Sequence, residues 1–274
     1  MAGAGLTQAD WLARVPDLVR ECAEEWELRL GEPYAAGAAG YTARAELGDG
    51  TPAVLKISFP HRESEHEADA LELWDGRGAV RLLARDDARG ALLLERCEPG
   101  TYLSSLELDA ALDVLIGLLP RLWKAAGEPF HTLADEAAWW LEYLPREWNR
   151  RYERRLLDAA VDALRTLVPT QGDQVLVHQD FHGDNVLAAQ REPWLVIDPK
   201  PLLGEREFGI AGIVRSPELG HSKRDVMRRL DRLTSELGLD RDRARGWTIG
   251  QTIAWSGGSD HVETHIEVVR WLLE

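Results

Sequence analysis

Between Val175 and Pro199 the sequence runs VLVHQDFHGDNVLAAQREPWLVIDP. It sets His178, Asp180 and Asn185 in the spacing H-x-D-x-x-x-x-N, with Asp198 thirteen positions further on, behind the apolar run Leu195-Val196-Ile197. An acid, an amide and a second acid in this order suit phosphoryl transfer. That reaction needs alignment and charge compensation more than covalent help from the protein. Asp180, exposed on a loop, is the residue expected to take the proton of an attacking hydroxyl. Asn185 and Asp198 supply the oxygen ligands that a hard cation such as Mg²⁺ prefers. A tight strand–loop–strand hairpin is expected to fix their separation, with His178 orienting the loop.

Two other readings use the same residues. Asp180 and Asp184 could serve only as turn formers, with Asn185 capping a strand. His178 and His182, four apart, could share a zinc ion if the stretch were helical. The run Phe181-His182-Gly183-Asp184-Asn185 has loop chemistry instead, which weighs against zinc.

A second signal lies upstream. Lys56 sits inside the apolar strand pattern Ala53-Val54-Leu55-Lys56-Ile57, where a lysine needs a partner. The reading is a lysine that holds nucleotide phosphates, positioned by an acid from the following helix. Of Glu63, Glu65 and Glu67, only Glu67 leads directly into the apolar face Ala68, Leu71, Trp74. There is no GxxxxGK[ST] motif, so a P-loop is excluded. The small residues Gly37-Ala38-Ala39-Gly40 lie where a phosphate-covering turn would fall, and read equally as an ordinary flexible turn.

The elements that must carry these groups follow from periodicity. Residues 7–29 read as a helix with a Thr7/Asp10 capping start, closed by Gly31 and Pro33. Strands are expected over 41–47 and 53–58 around Gly48-Asp49-Gly50, a helix over 63–74, and strands over 79–84 and 91–95. Beyond Pro99 the pattern turns helical. A helix over 104–123 opens with Ser104 and Glu107 at capping-box spacing, and one or two helices fill 134–168. Short strands follow at 175–179, 185–189 and 194–197, then three helical segments from Pro217. The expected class is α+β, with a small lobe holding an antiparallel sheet over 1–97 and a larger, mainly helical lobe over 98–274.

Composition bounds the rest. The chain has 274 residues, 45% of them hydrophobic, and a formal net charge of -15. The size suits two lobes, and the acidity argues against a nucleic-acid partner; it is compatible with a cationic ligand, though such acidity often serves solubility alone. Cys22 and Cys97 form no CxxC pair, so neither a disulfide framework nor a thiolate zinc site is expected. No signal-peptide pattern and no long apolar run is visible, so no membrane partner is expected and the expected compartment is the cytoplasm.

Together these residues resemble the aminoglycoside phosphotransferases, and within them the aminoglycoside/hydroxyurea resistance kinase branch. The likeness runs through Val54–Ile57, the acidic helix 63–74, Gly76–Leu83, Gly90–Gly100, His178–Asn185 and Val196–Phe208. It implies a bilobal fold similar to protein kinases, with ATP, or GTP, as donor and Mg²⁺ as cofactor. Asp180 is then the catalytic aspartate, Asn185 and Asp198 the metal ligands, and Lys56 the phosphate-binding lysine. The segment containing Glu95 and Cys97 is the hinge whose backbone pairs with the nucleotide base. The chain departs from the family pattern at Gln179, where Gly is common, and at Gly209, where this branch often has Asp and where the equivalent of an activation segment would be loosened.

The expected activity is transfer of a γ-phosphoryl group to a hydroxyl of a streptomycin-like aminoglycoside. The alternatives are a metabolic hydroxyl kinase (sugar, amino alcohol or hydroxyurea-like acceptor) and a nucleotide-binding pseudokinase. Glu205, Glu207, Asp260 and Glu263 are candidate acidic walls for a cationic acceptor, set against the plainer reading of a solvated acidic face. Trp255, beside Ser256-Gly257-Gly258, is a candidate sugar platform.

Overall fold

In the computed structural model, residues 7–34, 40–148, 152–257 and 262–274 are described. Helix α1 (Gln8–Glu25) starts at Thr7, whose hydroxyl accepts the Asp10 N–H while the Asp10 side chain reaches back to the cap. It ends earlier than its periodicity suggests, because Arg29–Pro33 forms strand β1 and pairs with β2 (Gly40–Glu46). Every β1 residue is exposed, so this edge strand carries no apolar alternation by which to find it. β2 and β3 (Pro52–Ser58) are antiparallel, with Thr42 opposite Lys56. β4 (Leu82–Asp86) and β5 (Ala91–Glu95) complete an antiparallel sheet of order β1-β2-β3-β5-β4.

The pleat of β3 sorts its side chains. Ala53, Leu55 and Ile57 are buried with Trp11, Val15, Leu18 and Cys22 of α1. Lys56 takes the alternate position and so points to the opposite face of the sheet. Helix α2 (Glu67–Trp74) supplies buried Ala68, Ala70, Leu71 and Trp74, and its first residue, Glu67, is buried with them.

The chain divides into two compact units, one of Met1–Gly100 with Ala188–Ile197, the other of Thr101–Leu187 with Asp198–Glu274. The sequence suggested a single crossing at 97–98, with everything later in the second lobe. Within the first unit, Val196 exchanges backbone hydrogen bonds with Gly78 and Val80. Arg191 donates to Glu95, to Gly76 O at 2.6 Å and to Ala79 O at 3.0 Å. A guanidinium satisfying one carboxylate and two carbonyls welds the returning segment to the sheet.

The second unit holds α3 (Leu108–Leu122), α4 (Leu133–Glu147) and α5 (Arg154–Leu167), then strands β6 (Gln174–His178) and β7 (Val186–Ala188), the last of which runs to the boundary. β8 (Trp194–Val196) lies in the first unit, and β9 (Pro201–Glu205) returns to the second. The expected capping box at Ser104 does not form. Glu107 is the N-cap of α3, and Ser104 instead donates to Asp184. β6 pairs antiparallel with β9, His178 opposite Pro201, so the anticipated hairpin of neighbouring strands is replaced by a longer-range pair. Helices α6 (Ala211–Arg215), α7 (Lys223–Leu237), α8 (Arg241–Ser256) and α9 (Val262–Leu273) follow, with α8 packed among α5, α6, α7 and α9. Gly209 is buried. A Cβ there would lie 3.1 Å from Trp123 Nε1 and 3.3 Å from Val177 Cγ1, so the residue expected to loosen this segment instead allows tight packing. No helix among the described residues is long and apolar enough to cross a membrane.

Candidate functional site

In the first unit, Lys56 Nζ donates to both carboxylate oxygens of Glu67, at 2.6 and 2.7 Å. The Glu67 side chain is only 3% exposed. A buried carboxylate is tolerated when a charged partner satisfies it, and the strand and helix present the two side chains to each other. Glu95, at the end of β5, accepts the Arg81 N–H at 3.0 Å and two bonds from Arg191. Burial alone would raise its pKa, but Arg191 and the Arg81 amide hold the carboxyl below the usual range. Cys97 is buried, and burial pushes its thiol up to about 12. Of the small-residue turn, Gly40 opens β2, whereas Gly37, Ala38 and Ala39 lie outside the described residues.

In the second unit, β6 ends at His178 and the chain turns into the loop of Asp180. The Gln179 N–H bonds Lys200 O at 3.0 Å, which brings the stretch after Asp198 alongside Asp180. Asp198 itself has a left-handed backbone, φ 52°. His178 Nδ1 accepts the Asp180 N–H at 3.2 Å, the loop-orienting contact. Gly212 of α6 allows close approach from below: a Cβ there would be 2.6 Å from Phe181 O.

Asp180 is not exposed as its loop position suggested; its side chain is 15% exposed, paired with Lys200 and Arg215, and 3.8 Å from His182 Nε2. Lys200 Nζ donates to Oδ2 at 2.7 Å and Arg215 Nη2 to Oδ1 at 3.0 Å. Burial would raise its pKa, but the charges of Lys200, Arg215 and His182 hold the carboxyl well below the ordinary carboxylate range. Both cations also face the Trp255 ring, Lys200 Nζ at 5.1 Å and Arg215 Cζ at 4.5 Å from its centroid. Trp255, the candidate sugar platform, thus carries two cations over its ring beside Asp180.

Asn185 Nδ2 donates to Asp180 O at 2.7 Å and lies 3.2 Å from His182 Nε2. With the amide nitrogen so engaged, Oδ1 is the atom Asn185 can offer a cation. His182 Nδ1 sits 3.0 Å from Glu218 Oε1. Burial would lower the His182 pKa, but the bond to Glu218 and the charge of Asp180 raise it. His182, Asp184 and Glu218 are close enough to form a ligand cluster. The zinc pairing of His178 with His182 does not fit, since residues 179–181 between them form a turn rather than a helix and His178 faces the Asp180 amide.

Glu205 is not a wall of an open cleft. It is 2% exposed, accepts bonds from Arg243, from the Gly172 N–H at 2.9 Å and from Trp247 Nε1, and thereby ties β9 to α8. Glu207 accepts the Asp240 N–H at 3.3 Å and Glu263 is exposed on α9. Asp260 and Gly258 lie outside the described residues. The sequence reading missed Lys200, Arg215 and Gln251. Arg215 carried a related signal: Lys56 lies inside an apolar run, whereas Arg215 ends one, Phe208–Val214.

The family described as aminoglycoside/hydroxyurea antibiotic resistance kinase matches residues 31–260. A streptomycin 6-kinase of Streptomyces glaucescens is 42% identical over 253 residues, 89% of this chain and 82% of the relative. A hydroxyurea phosphotransferase of Kitasatospora aureofaciens is 41% identical over 256 residues, 91% of this chain and 74% of the relative. Among solved structures, the choline kinase LicA from Streptococcus pneumoniae superposes with a TM-score of 0.66 at 14% identity, covering 95% of this chain and 99% of that one. At that identity the likeness is one of fold: a small lobe built on a sheet and a larger helical lobe.

Proposed function

The chain belongs to the aminoglycoside/hydroxyurea antibiotic resistance kinase family, and from that premise we propose that it transfers the γ-phosphoryl group of ATP to a hydroxyl of a streptomycin-like aminoglycoside. The observation that carries the reading is the loop 178–185. There a carboxylate kept ionised, Asp180, and an amide with its nitrogen engaged, Asn185, are tied together by one 2.7 Å hydrogen bond.

In this reading Asp180 accepts the proton of the acceptor hydroxyl. A carboxylate flanked by two cations is a weak base, yet this suits the reaction. The transition state is largely dissociative, so the hydroxyl needs aiming more than early deprotonation. His178 and Asn185 fix the loop backbone and so fix where the Asp180 oxygens lie. Asn185 Oδ1 and the Asp198 carboxylate are the donors for Mg²⁺, and all-oxygen donors are what that ion selects. When bound, Mg²⁺ would neutralise charge on the β- and γ-phosphates. Lys56, held by Glu67, is assigned to the α- and β-phosphates, and the backbone of Glu95–Cys97 to the nucleotide base. The net charge of -15 suits a cationic acceptor.

The near-equal identity to a hydroxyurea phosphotransferase favours one second reading, a small hydroxyurea-like acceptor. Incubating the protein with Mg-ATP and either streptomycin or hydroxyurea, and weighing the products by mass spectrometry, separates them. A gain of one phosphoryl on streptomycin supports the first reading. Its appearance only on hydroxyurea replaces the first with the second, and turnover of neither removes both.

A further inference from the structure

The two cations on Asp180 are mounted differently. Lys200 reaches it on a flexible stem and is 22% exposed. Arg215 is 6% exposed and held on several sides. The carbonyl before it, Val214 O, accepts Arg229 Nε at 3.2 Å and Nη2 at 3.0 Å, from an arginine that is itself fully buried. Its guanidinium stacks on Trp255, and Nη1 donates to Gln251 Oε1 at 2.6 Å. Gln251 in turn donates through Nε2 to Gln179 O at 3.0 Å. The result is a closed ring. One buried amide on α8 holds both the backbone carbonyl immediately before Asp180 and the guanidinium that grips the Asp180 side chain. Trp255 lies one turn further along the same helix face.

Stability alone explains such a ring poorly. A buried ion pair returns little beyond its desolvation cost, and apolar residues of similar volume serve as well or better. What the ring does supply is a fixed carboxylate rotamer, since Arg215 cannot turn without breaking its bond to Gln251 or leaving the indole. We propose that Gln251 and Arg215 are positioning residues for the proton acceptor, aiming Asp180 Oδ1 and Oδ2 through one hydrogen-bonded ring. This rests on the reading of Asp180 as that acceptor.

The test uses the full-length protein with Gln251→Met, Gln251→Glu, Arg215→Met and Arg215→Lys, each alone and with Asp180→Asn. Turnover is followed with Mg-ATP and streptomycin, and with water as acceptor where streptomycin gives none. Gln251→Met and Arg215→Met are expected to lower kcat by roughly 10- to 100-fold, the loss that misplacement of a reacting group brings, with KM for ATP unchanged. A Gln251→Met/Arg215→Met double variant is expected to lose no more than Arg215→Met alone, because both act through one ring. Arg215→Lys keeps the charge but not the fork, and recovers part of the rate. Gln251→Glu keeps the acceptor for Arg215 and lacks the donor to Gln179, so it also loses rate, and it serves if Gln251→Met fails to fold. Neither Gln251 nor Arg215 substitutions are expected to lower turnover further in the Asp180→Asn background. Unchanged kcat in the Gln251 variants, or losses that persist undiminished in that background, would overturn the inference while leaving Asp180 as base. Asp180→Asn with wild-type turnover would instead remove the base assignment itself, and the positioning role with it.

Discussion

Lys56 on β3 and Glu67 on α2 form a bidentate pair, with Nζ 2.6 and 2.7 Å from the two carboxylate oxygens. Because the glutamate is nearly fully buried, each partner depends on the other. Glu67→Ala is expected to cost roughly 3–5 kcal/mol of stability, the usual consequence of leaving one member of a buried pair uncompensated. Chemical denaturation measures this. Lys56→Ala is expected to lower turnover by on the order of 100-fold through lost phosphate positioning; unchanged turnover would withdraw the lysine from the nucleotide site.

Asp180→Asn is expected to lower kcat by roughly 10²–10⁴-fold, the span of a general base. Asn185 bonds the Asp180 backbone carbonyl, not its side chain, so binding of Mg-ATP should persist. Calorimetric titration with Mg-ATP beside a turnover assay checks both halves.

Glu205 gives a contrasting expectation. Its partners are Arg243, Trp247 and the Gly172 amide, so Glu205→Ala strands a cation and two N–H donors. A loss of roughly 3 kcal/mol or more is expected, read as a lower denaturation midpoint. The ratio of turnover with streptomycin to that with hydroxyurea should not move.

The Glu95–Arg191 pair makes stability depend on acid. The Glu95 pKa is lowered from 4.5 on folding, so its contribution is complete above about pH 4.5. As pH falls through the lower folded value, the contribution disappears. Thermal midpoints of the wild type and Arg191→Met should therefore differ most above pH 4.5 and converge at lower pH. A difference that stays constant with pH would show that this pair does not carry the effect.

The residues to which the chemistry is assigned stand out in the sequence because each breaks a local pattern. Lys56 interrupts apolar alternation, and Asp180, Asn185 and Asp198 cluster at fixed spacing among short strands. The elements that failed to announce themselves did so for physical reasons. β1 is exposed throughout and lacks alternation. β9 reads as a loop because it begins at Pro201 and contains Gly204. Ser104 and Glu107 match a capping box in spacing, but Ser104 is recruited by Asp184, eighty residues away in sequence. Long-range partners of this sort also hid Gln251 and the pairing of Arg215 with Asp180, since nothing local links positions 180, 215 and 251. Glu205 shows the converse: an acid near the expected metal ligands looked available for a cationic ligand, yet tertiary packing had already spent it on Arg243.

The return of Ala188–Ile197 to the first unit bears on how the protein is made. A ribosome releasing this chain from its N-terminus delivers the five-stranded sheet early, but Arg191, which satisfies Glu95, Gly76 and Ala79, arrives only after β6 and the Asp180 loop. A fragment cut at residue 100 would lack Arg191, so Glu95 would keep only the Arg81 amide and the Gly76 and Ala79 carbonyls would lose the guanidinium. The full set of contacts of the earlier unit is thus reached only once a peptide lying between two stretches of the later one has been made.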